Sequence, residues 1–322
     1  MDEVSLISCL GRESLISSHA TYNALGVRGK ALAYRACYED YVLRTLGFTS
    51  GDGTGALSLP VVSTGDFKDQ SLLADIESEV AIINLFRASR LPVRVFSEEL
   101  GETLVGSIPQ FFAVIDGLDG TSHFVKHGPF EGKQVTMLGI YSGVNPSYDD
   151  YLFSGAIQHA SRKLFYSVKG SGAYVEDLRT GYVQRIFASD DFECLDEKTP
   201  LSADLGFDSW AGITVLQDYF LSKLEGFKVV DPQVSACNYL GVALGVNALG
   251  FECTRGDKKM NLETAAAYGL VKEAGGLVVD SQGGSLGSRN FLEFGHGPGE
   301  HFPIIIGANP KIVRSLLDTL NA

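Results

Sequence analysis

The sequence predicts a layered α/β or α+β fold, and three observations carry that prediction. Segments with apolar residues at helical spacing alternate with short apolar runs of strand length. Both halves of the chain hold both kinds of segment, which fits neither an all-helical nor an all-strand class. Glycine punctuation separates them, as at Gly170-Ser171-Gly172 and Gly275-Gly276. The 322 residues, 45% of them hydrophobic, suffice for two domains or one large one with a sizeable core. A boundary is expected near residue 190, between units 1–190 and 191–322.

Taken in order, Lys30–Leu46 reads as an amphipathic helix stopped by Gly47. Gly47–Gly65 is rich in Gly, Ser and Thr and reads as a long loop, a candidate lid. Asp75 reads as the N-cap of a helix whose apolar face is Ile76, Val80, Ile83 and Phe86. Val93–Val95 is a strand running into Glu98-Glu99, and Phe111–Ile115 a strand running into Asp116. Val135–Tyr141, Phe153–Ile157 and Lys163–Val168 continue the strand series. Helices are expected at Trp210–Leu224 and Asn238–Val246, around an apolar segment, Phe227–Val230. Thr264–Ala274 is a helix, Val278–Val279 and Pro303–Ile306 are strands, and Pro310–Leu320 is a closing helix.

Composition narrows the function. A net charge of −13 argues against general nucleic-acid binding, which leaves a basic footprint. An acidic protein that handles phosphate needs local positive charge, and a bound divalent cation supplies it. The five cysteines (Cys9, Cys37, Cys194, Cys237 and Cys253) are odd in number, with no C-x-x-C pair. They read as reduced and mostly buried, in a cytoplasmic protein without a structural zinc. The first ten residues carry Asp2 and Glu3 in place of a basic region, so no signal peptide is expected. No run of 18 apolar residues occurs, so no membrane-spanning helix is expected.

The chemistry concentrates in Asp116-Gly117-Leu118-Asp119-Gly120-Thr121. An apolar strand delivers two aspartates three residues apart, then a Gly-Thr step able to open a helix. Hard divalent cations take oxygen ligands, and two carboxylates on one tight turn suit them. The N–H groups of Gly120, Thr121 and Ser122 would face an anion. Taken alone, such a segment also makes an ordinary surface turn. A dehalogenase-type Asp-x-Asp-Gly-Thr loop fails because Gly stands at 117, and an EF-hand fails because His127 stands where its closing Glu belongs. Glu98-Glu99 at a strand end, Asp75 at a helix start and Glu263 before an apolar helix add three more acids at element ends.

Together these segments resemble the inositol monophosphatase and fructose-1,6-bisphosphatase superfamily. Ser97-Glu98-Glu99 resembles its Gly-Glu-Glu motif, and Asp116–Thr121 its Asp-Pro-Ile/Leu-Asp-Gly-Thr/Ser motif. Gly170–Tyr174, Glu263–Ala266 with Glu273–Gly276, and Ile305–Pro310 resemble later family segments. The resemblance implies an α-β-α-β-α sandwich of the sugar phosphatase type. It implies two or three Mg²⁺ ions held by Glu98, Asp116, the Leu118 carbonyl, Asp119 and Glu263. Asp75 and Thr121, with Glu98, would handle the attacking water, and two such ions lower the pKa of a bound water and orient the phosphate. It also implies a homodimer.

This chain departs from the family pattern at several points. Gly117 replaces the usual Pro and is expected to loosen the turn. Leu72 stands where a Thr is usual, and Asp66 is a rival for the Asp75 role. Glu263 replaces an Asp, and His123 an Asn. Glu131–Gln134 reads as a small insertion. Arg255, Lys258 and Lys259 form a basic cluster that would bind a second phosphate or simply face solvent. Ser235 resembles a substrate-contacting position, and His123, Lys126 and His127 follow the motif as possible substrate contacts or surface groups. The expected function is Mg²⁺-dependent hydrolysis of a small phosphorylated sugar, polyol or nucleotide. The alternative is a catalytically silent relative that binds a phosphorylated metabolite.

Overall fold

The computed structural model describes residues 3–29, 61–64, 70–120, 133–204, 223–224, 226–230, 234–252, 262–290 and 304–321. The expected helix over 30–46, most of the 47–65 loop and most of the expected helix over 210–224 lie outside them. So do Asp66, Thr121, Ser122, His123, Lys126, His127, Arg255, Lys258 and Lys259.

The described chain opens with helix α1 (Glu3–Gly29), followed by a short hairpin of β1 (Val61–Thr64) and β2 (Gln70–Leu72), then α2 (Leu73–Ser89). Next come β3 (Val93–Ser97), β4 (Gly101–Val105), β5 (Phe111–Asp119), β6 (Val135–Ser142), β7 (Tyr151–Gln158), β8 (Lys163–Val168), β9 (Gly172–Asp177) and β10 (Tyr182–Ile186). These eight form one sheet in the order β10-β9-β8-β7-β6-β5-β3-β4. Only β3 and β5 within it pair in parallel. The second half adds β11 (Leu201–Asp204), β12 (Val229–Val230), α3 (Ala236–Ala243), β13 (Leu249–Glu252), α4 (Leu262–Glu273), β14 (Leu277–Val279), β15 (Ile304–Gly307) and α5 (Pro310–Leu320). Its five strands form a second sheet, β12-β11-β13-β15-β14.

Alternating side chains build the layers. Along β5, Phe111, Ala113 and Ile115 pack into a core with Ile7 and Leu15 of α1 and Ile82 and Phe86 of α2. Phe112 and Val114, pointing the other way, join Tyr239 of α3, Ala265 and Leu270 of α4 and Ile304 and Ile306 of β15. Ile305 faces the opposite side of the second sheet, with Phe251, Ile312 and Leu316. Both faces of the central strands are thereby buried, which explains their unbroken apolar runs. The result is a five-layer order of helices, sheet, helices, sheet and helix, as the family resemblance implied. Glu273 ties α4 to the first sheet: its carboxylate accepts from Gly170 N at 2.6 Å, Gly172 N at 2.8 Å and the Tyr151 hydroxyl at 2.6 Å.

Two expectations need correction, on Asp75 and on the cysteines, and several elements were not read from the sequence. Asp75 is not an N-cap: α2 begins at Leu73, which places Asp75 inside its first turn, with the side chain buried. The first helix is α1, which lacks the strong apolar periodicity that would have announced it. β4, β9, β10 and β11 are strands that the apolar runs did not mark; β10 exposes four of its five residues, and β4 is buried only at its two ends. The described cysteines are not mostly buried: Cys9 and Cys194 are exposed and Cys237 is half-buried, because Cys9 lies on the outward side of α1 and Cys194 in the connection after β10.

Candidate active site

The acids gather where β5 ends. β5 pairs with β6 in regular antiparallel register up to Asp116 opposite Met137, and pairing resumes at Asp119 opposite Val135. Gly117 and Leu118 thus face the single residue Thr136, which makes the Asp-Gly-Leu-Asp segment a β-bulge. Bulges re-aim side chains and leave a backbone group outside the ladder. Asp116 Oδ1 accepts from the Leu118 N–H at 3.0 Å, which closes the turn. Gly120 follows at φ +95°, where a side chain would be strained and would also meet Val234.

Gly117 tightens the site instead of loosening it. A Cβ there would sit 2.3 Å from the carbonyl oxygen of Asp75. The absence of a side chain lets the first turn of α2 close against the bulge. That turn delivers Asp75, which is 2% exposed.

Two other helix starts meet the same point. Asp119 Oδ2 accepts from Ala236 N, the first residue of α3, at 2.5 Å. Glu263 lies in the first turn of α4. One oxygen each from Asp116, Asp119 and Glu263 fall within 4.8 Å of one another. Burial holds the Asp116 carboxyl well above the usual carboxylate range, and Glu98, Asp119, Glu263 and Asp75 push it further in the same direction. Of the expected metal set, the structure therefore brings Asp116, Asp119 and Glu263 together, with Glu98 and Asp75 close enough to act on Asp116 by charge. Leu118 is buried inside the bulge. Ser235, at the head of α3, donates to the buried Glu252 at the end of β13.

The donor set fits a divalent cation. It consists of carboxylate oxygens converging from one buried and two half-buried side chains, with like charges opposing one another, and a hard cation offsets that repulsion.

Glu79 was not singled out from sequence. It lies one turn after Asp75 on α2, on the same face, a spacing that could have revealed it. Fully buried, it accepts from Glu99 N and Leu100 N, both at 3.0 Å, and so grips the turn that follows Glu98. Burial pushes its carboxyl up to about 8, while the Glu99 N–H and the Ser97 hydroxyl pull it down. Glu252, Thr136 and His159 also escaped notice, as isolated polar residues in or beside apolar strands.

Layers in this order, with acids collected between a strand bulge and three helix starts, define an α/β sandwich of the sugar phosphatase type. Comparison with known proteins makes this specific. The chain belongs to the inositol monophosphatase family, which matches residues 58–301, and it is accordingly a phosphoric monoester hydrolase of a metal-dependent family. It is 24% identical over 233 residues to a fructose-1,6-bisphosphatase/inositol-1-monophosphatase of Methanothermobacter thermautotrophicus, covering 70% of this chain and 76% of that one. It is 30% identical over 220 residues to a 3′(2′),5′-bisphosphate nucleotidase of Oryza sativa, covering 63% of this chain and 57% of that one. The structure of an inositol monophosphatase from Anabaena superimposes with a TM-score of 0.62 at 17% identity, covering 99% of this chain and 95% of that one, which bears on the fold alone. No helix among the described residues is long and apolar enough to cross a membrane.

Proposed function

We propose that this chain hydrolyses a small phosphorylated sugar, polyol or nucleotide with Mg²⁺ as its cofactor, two or three ions per site. The observation that carries this reading is the convergence of Asp116, Asp119 and Glu263 within 4.8 Å, at the bulge that separates Asp116 from Asp119. Glu98, Asp116, the Leu118 carbonyl, Asp119 and Glu263 would hold the metal. Bound there, Mg²⁺ supplies Lewis acidity toward the phosphoryl oxygens and the leaving oxygen.

The chain's own residues do the rest. Asp75, buried beside the bulge, takes the proton of the attacking water, with Thr121 orienting that water. The N–H groups of Gly120, Thr121 and Ser122 hold phosphate oxygens. Ser235, fixed by Glu252, meets the substrate's hydroxyls. Arg255, Lys258 and Lys259 bind a second phosphate. The methanogen relative is named for a sugar bisphosphate and an inositol monophosphate and the rice relative for a nucleotide bisphosphate, which supports a small phosphorylated sugar, polyol or nucleotide as the substrate class. The unit up to residue 190 supplies Glu98, Asp116 and Asp119, the remainder Glu263 and the substrate contacts. A homodimer is inferred from family membership and is read by light scattering.

The test is phosphate release from inositol phosphates, sugar bisphosphates and 3′-phosphonucleotides, with and without Mg²⁺. Mg²⁺-dependent release from one compound supports the reading. Silence on all of them, with Mg²⁺ shown to bind, favours the catalytically silent relative.

A further inference from the structure

Behind the acid cluster, a line of hydrogen bonds crosses the interior from α1 to the bulge. Asn23 Nδ2 lies 2.8 Å from His19 Nε2. His19 Nδ1 lies 3.0 Å from His159 Nδ1. His159 Nε2 lies 2.9 Å from Thr136 Oγ1, and Thr136 Oγ1 donates to the Gly117 carbonyl at 2.7 Å. Thr136 is the residue opposite the bulge, so its hydroxyl satisfies a carbonyl that the interrupted ladder would leave outside the β5–β6 pairing.

The protons in this line run one way. A carbonyl only accepts, so the single Thr136 proton is committed to Gly117, and Thr136 must accept from His159. His159 therefore carries its proton on Nε2 and offers Nδ1 as an acceptor. His19 must donate from Nδ1, which leaves its Nε2 to accept from the Asn23 amide. Both imidazoles are neutral in this arrangement. Their surroundings agree: His159 is 2% exposed and His19 7%. Tyr22 stacks on His159 with centroids 3.9 Å apart and planes 9° from parallel. Burial holds His159 well below the usual histidine range, and burial together with Arg162 holds His19 near about 4.

We propose that His159, acting through Thr136 and oriented by His19, is a positioning residue for the metal-binding turn: the one-way hydrogen-bond line fixes the Gly117 peptide and thereby the placement of the Asp116 and Asp119 carboxylates for the cation. This rests on the metal-dependent reading given above. The alternative is that the line merely satisfies buried polar groups. A positioning role predicts that breaking it weakens metal binding in a protein that still folds.

The experiment uses the full chain and Mn²⁺ as the probe, read by electron paramagnetic resonance and calorimetry, with melting measured in parallel. His159→Phe keeps a ring against Tyr22 and removes both nitrogens. The expected result is a Kd for Mn²⁺ raised about 10- to 100-fold, as for other groups that orient metal ligands, with kcat lowered more than KM is changed. Thr136→Val gives the same weakening by deleting the donor to Gly117, and stands in where the phenylalanine variant does not fold. In ¹⁵N-histidine-labelled wild type, His159 should show the Nε2–H form and His19 the Nδ1–H form. A wild-type Mn²⁺ Kd in a folded variant overturns the proposal, as does His159 protonated on Nδ1. Wild-type protein that binds neither Mn²⁺ nor Mg²⁺ overturns the metal reading itself, and this inference with it.

Discussion

The turn from Asp116 to Asp119 is gripped on two sides, and the grips are opposite in kind. Toward α3 and α4 it faces Glu263 and shares a crowded set of carboxylates. Toward α1 it faces an uncharged line ending at Thr136. Like charges keep a close arrangement only with a cation or a proton to offset them, whereas neutral hydrogen bonds keep it without either. The comparison separates two jobs that a ligand list merges: balancing charge, and holding shape before the charge arrives.

Breaking the charged side gives the largest effect. Asp116→Asn should cut phosphate release by roughly 10³-fold, since a bound cation contributes several kcal/mol at the transition state and about 1.4 kcal/mol is a factor of ten. The same change should raise the melting temperature of the metal-free protein, because four neighbouring acids no longer oppose a buried fifth. Calorimetry with chelator present reads the second effect, and a lowered melting temperature would contradict the account of the cluster as uncompensated charge.

Breaking the shape without touching charge comes next. Gly117→Ala brings a Cβ against the Asp75 carbonyl, where both partners are backbone. A loss of about 1–3 kcal/mol in urea unfolding is expected, together with weaker Mg²⁺ binding. Full retention of both would mean that α2 is free to move away.

Glu79→Gln should be milder. It removes one of two acceptors and leaves either the Glu99 or the Leu100 N–H without its partner, at about 1 kcal/mol. Mg²⁺ titration of the variant sharpens the comparison by asking whether the Glu98 turn is held as the bulge is.

The smallest expected effect is a pH dependence on the neutral side. In the unfolded chain a histidine takes up its second ring proton below about 6.5, whereas folded His19 gains it only at about 4. The unfolded state binds more protons across that window, so stability falls as pH drops from 6.5 toward 4. Unfolding of wild type against His19→Phe at several pH values isolates this slope, which should be shallower in the variant.

Much of the charged side was legible in the sequence. Asp116 and Asp119 close an apolar strand three residues apart, and Glu263 opens an apolar helix, so residue type and place in the pattern coincide. The neutral side was not legible, for a physical reason. His19 and His159 lie 140 positions apart, and each alone looks like an ordinary polar residue of its element. Their meaning comes from a pairing that only the packing of α1 on the sheet creates. Gly117 was misjudged for a related reason: the sequence shows a missing ring, while the structure shows the Asp75 carbonyl that occupies the space. Asp75 was read as a cap because its helix starts earlier than the apolar spacing reveals.

Helix α1 ends at Gly29, well before residue 58, where the match to the family's sequence pattern begins. A trimmed protein starting at that point would retain every acid of the cluster and lose Asn23 and His19. With His19 orienting His159 as proposed, part of what keeps the reacting end in shape lies ahead of the segment that the family's sequence pattern matches.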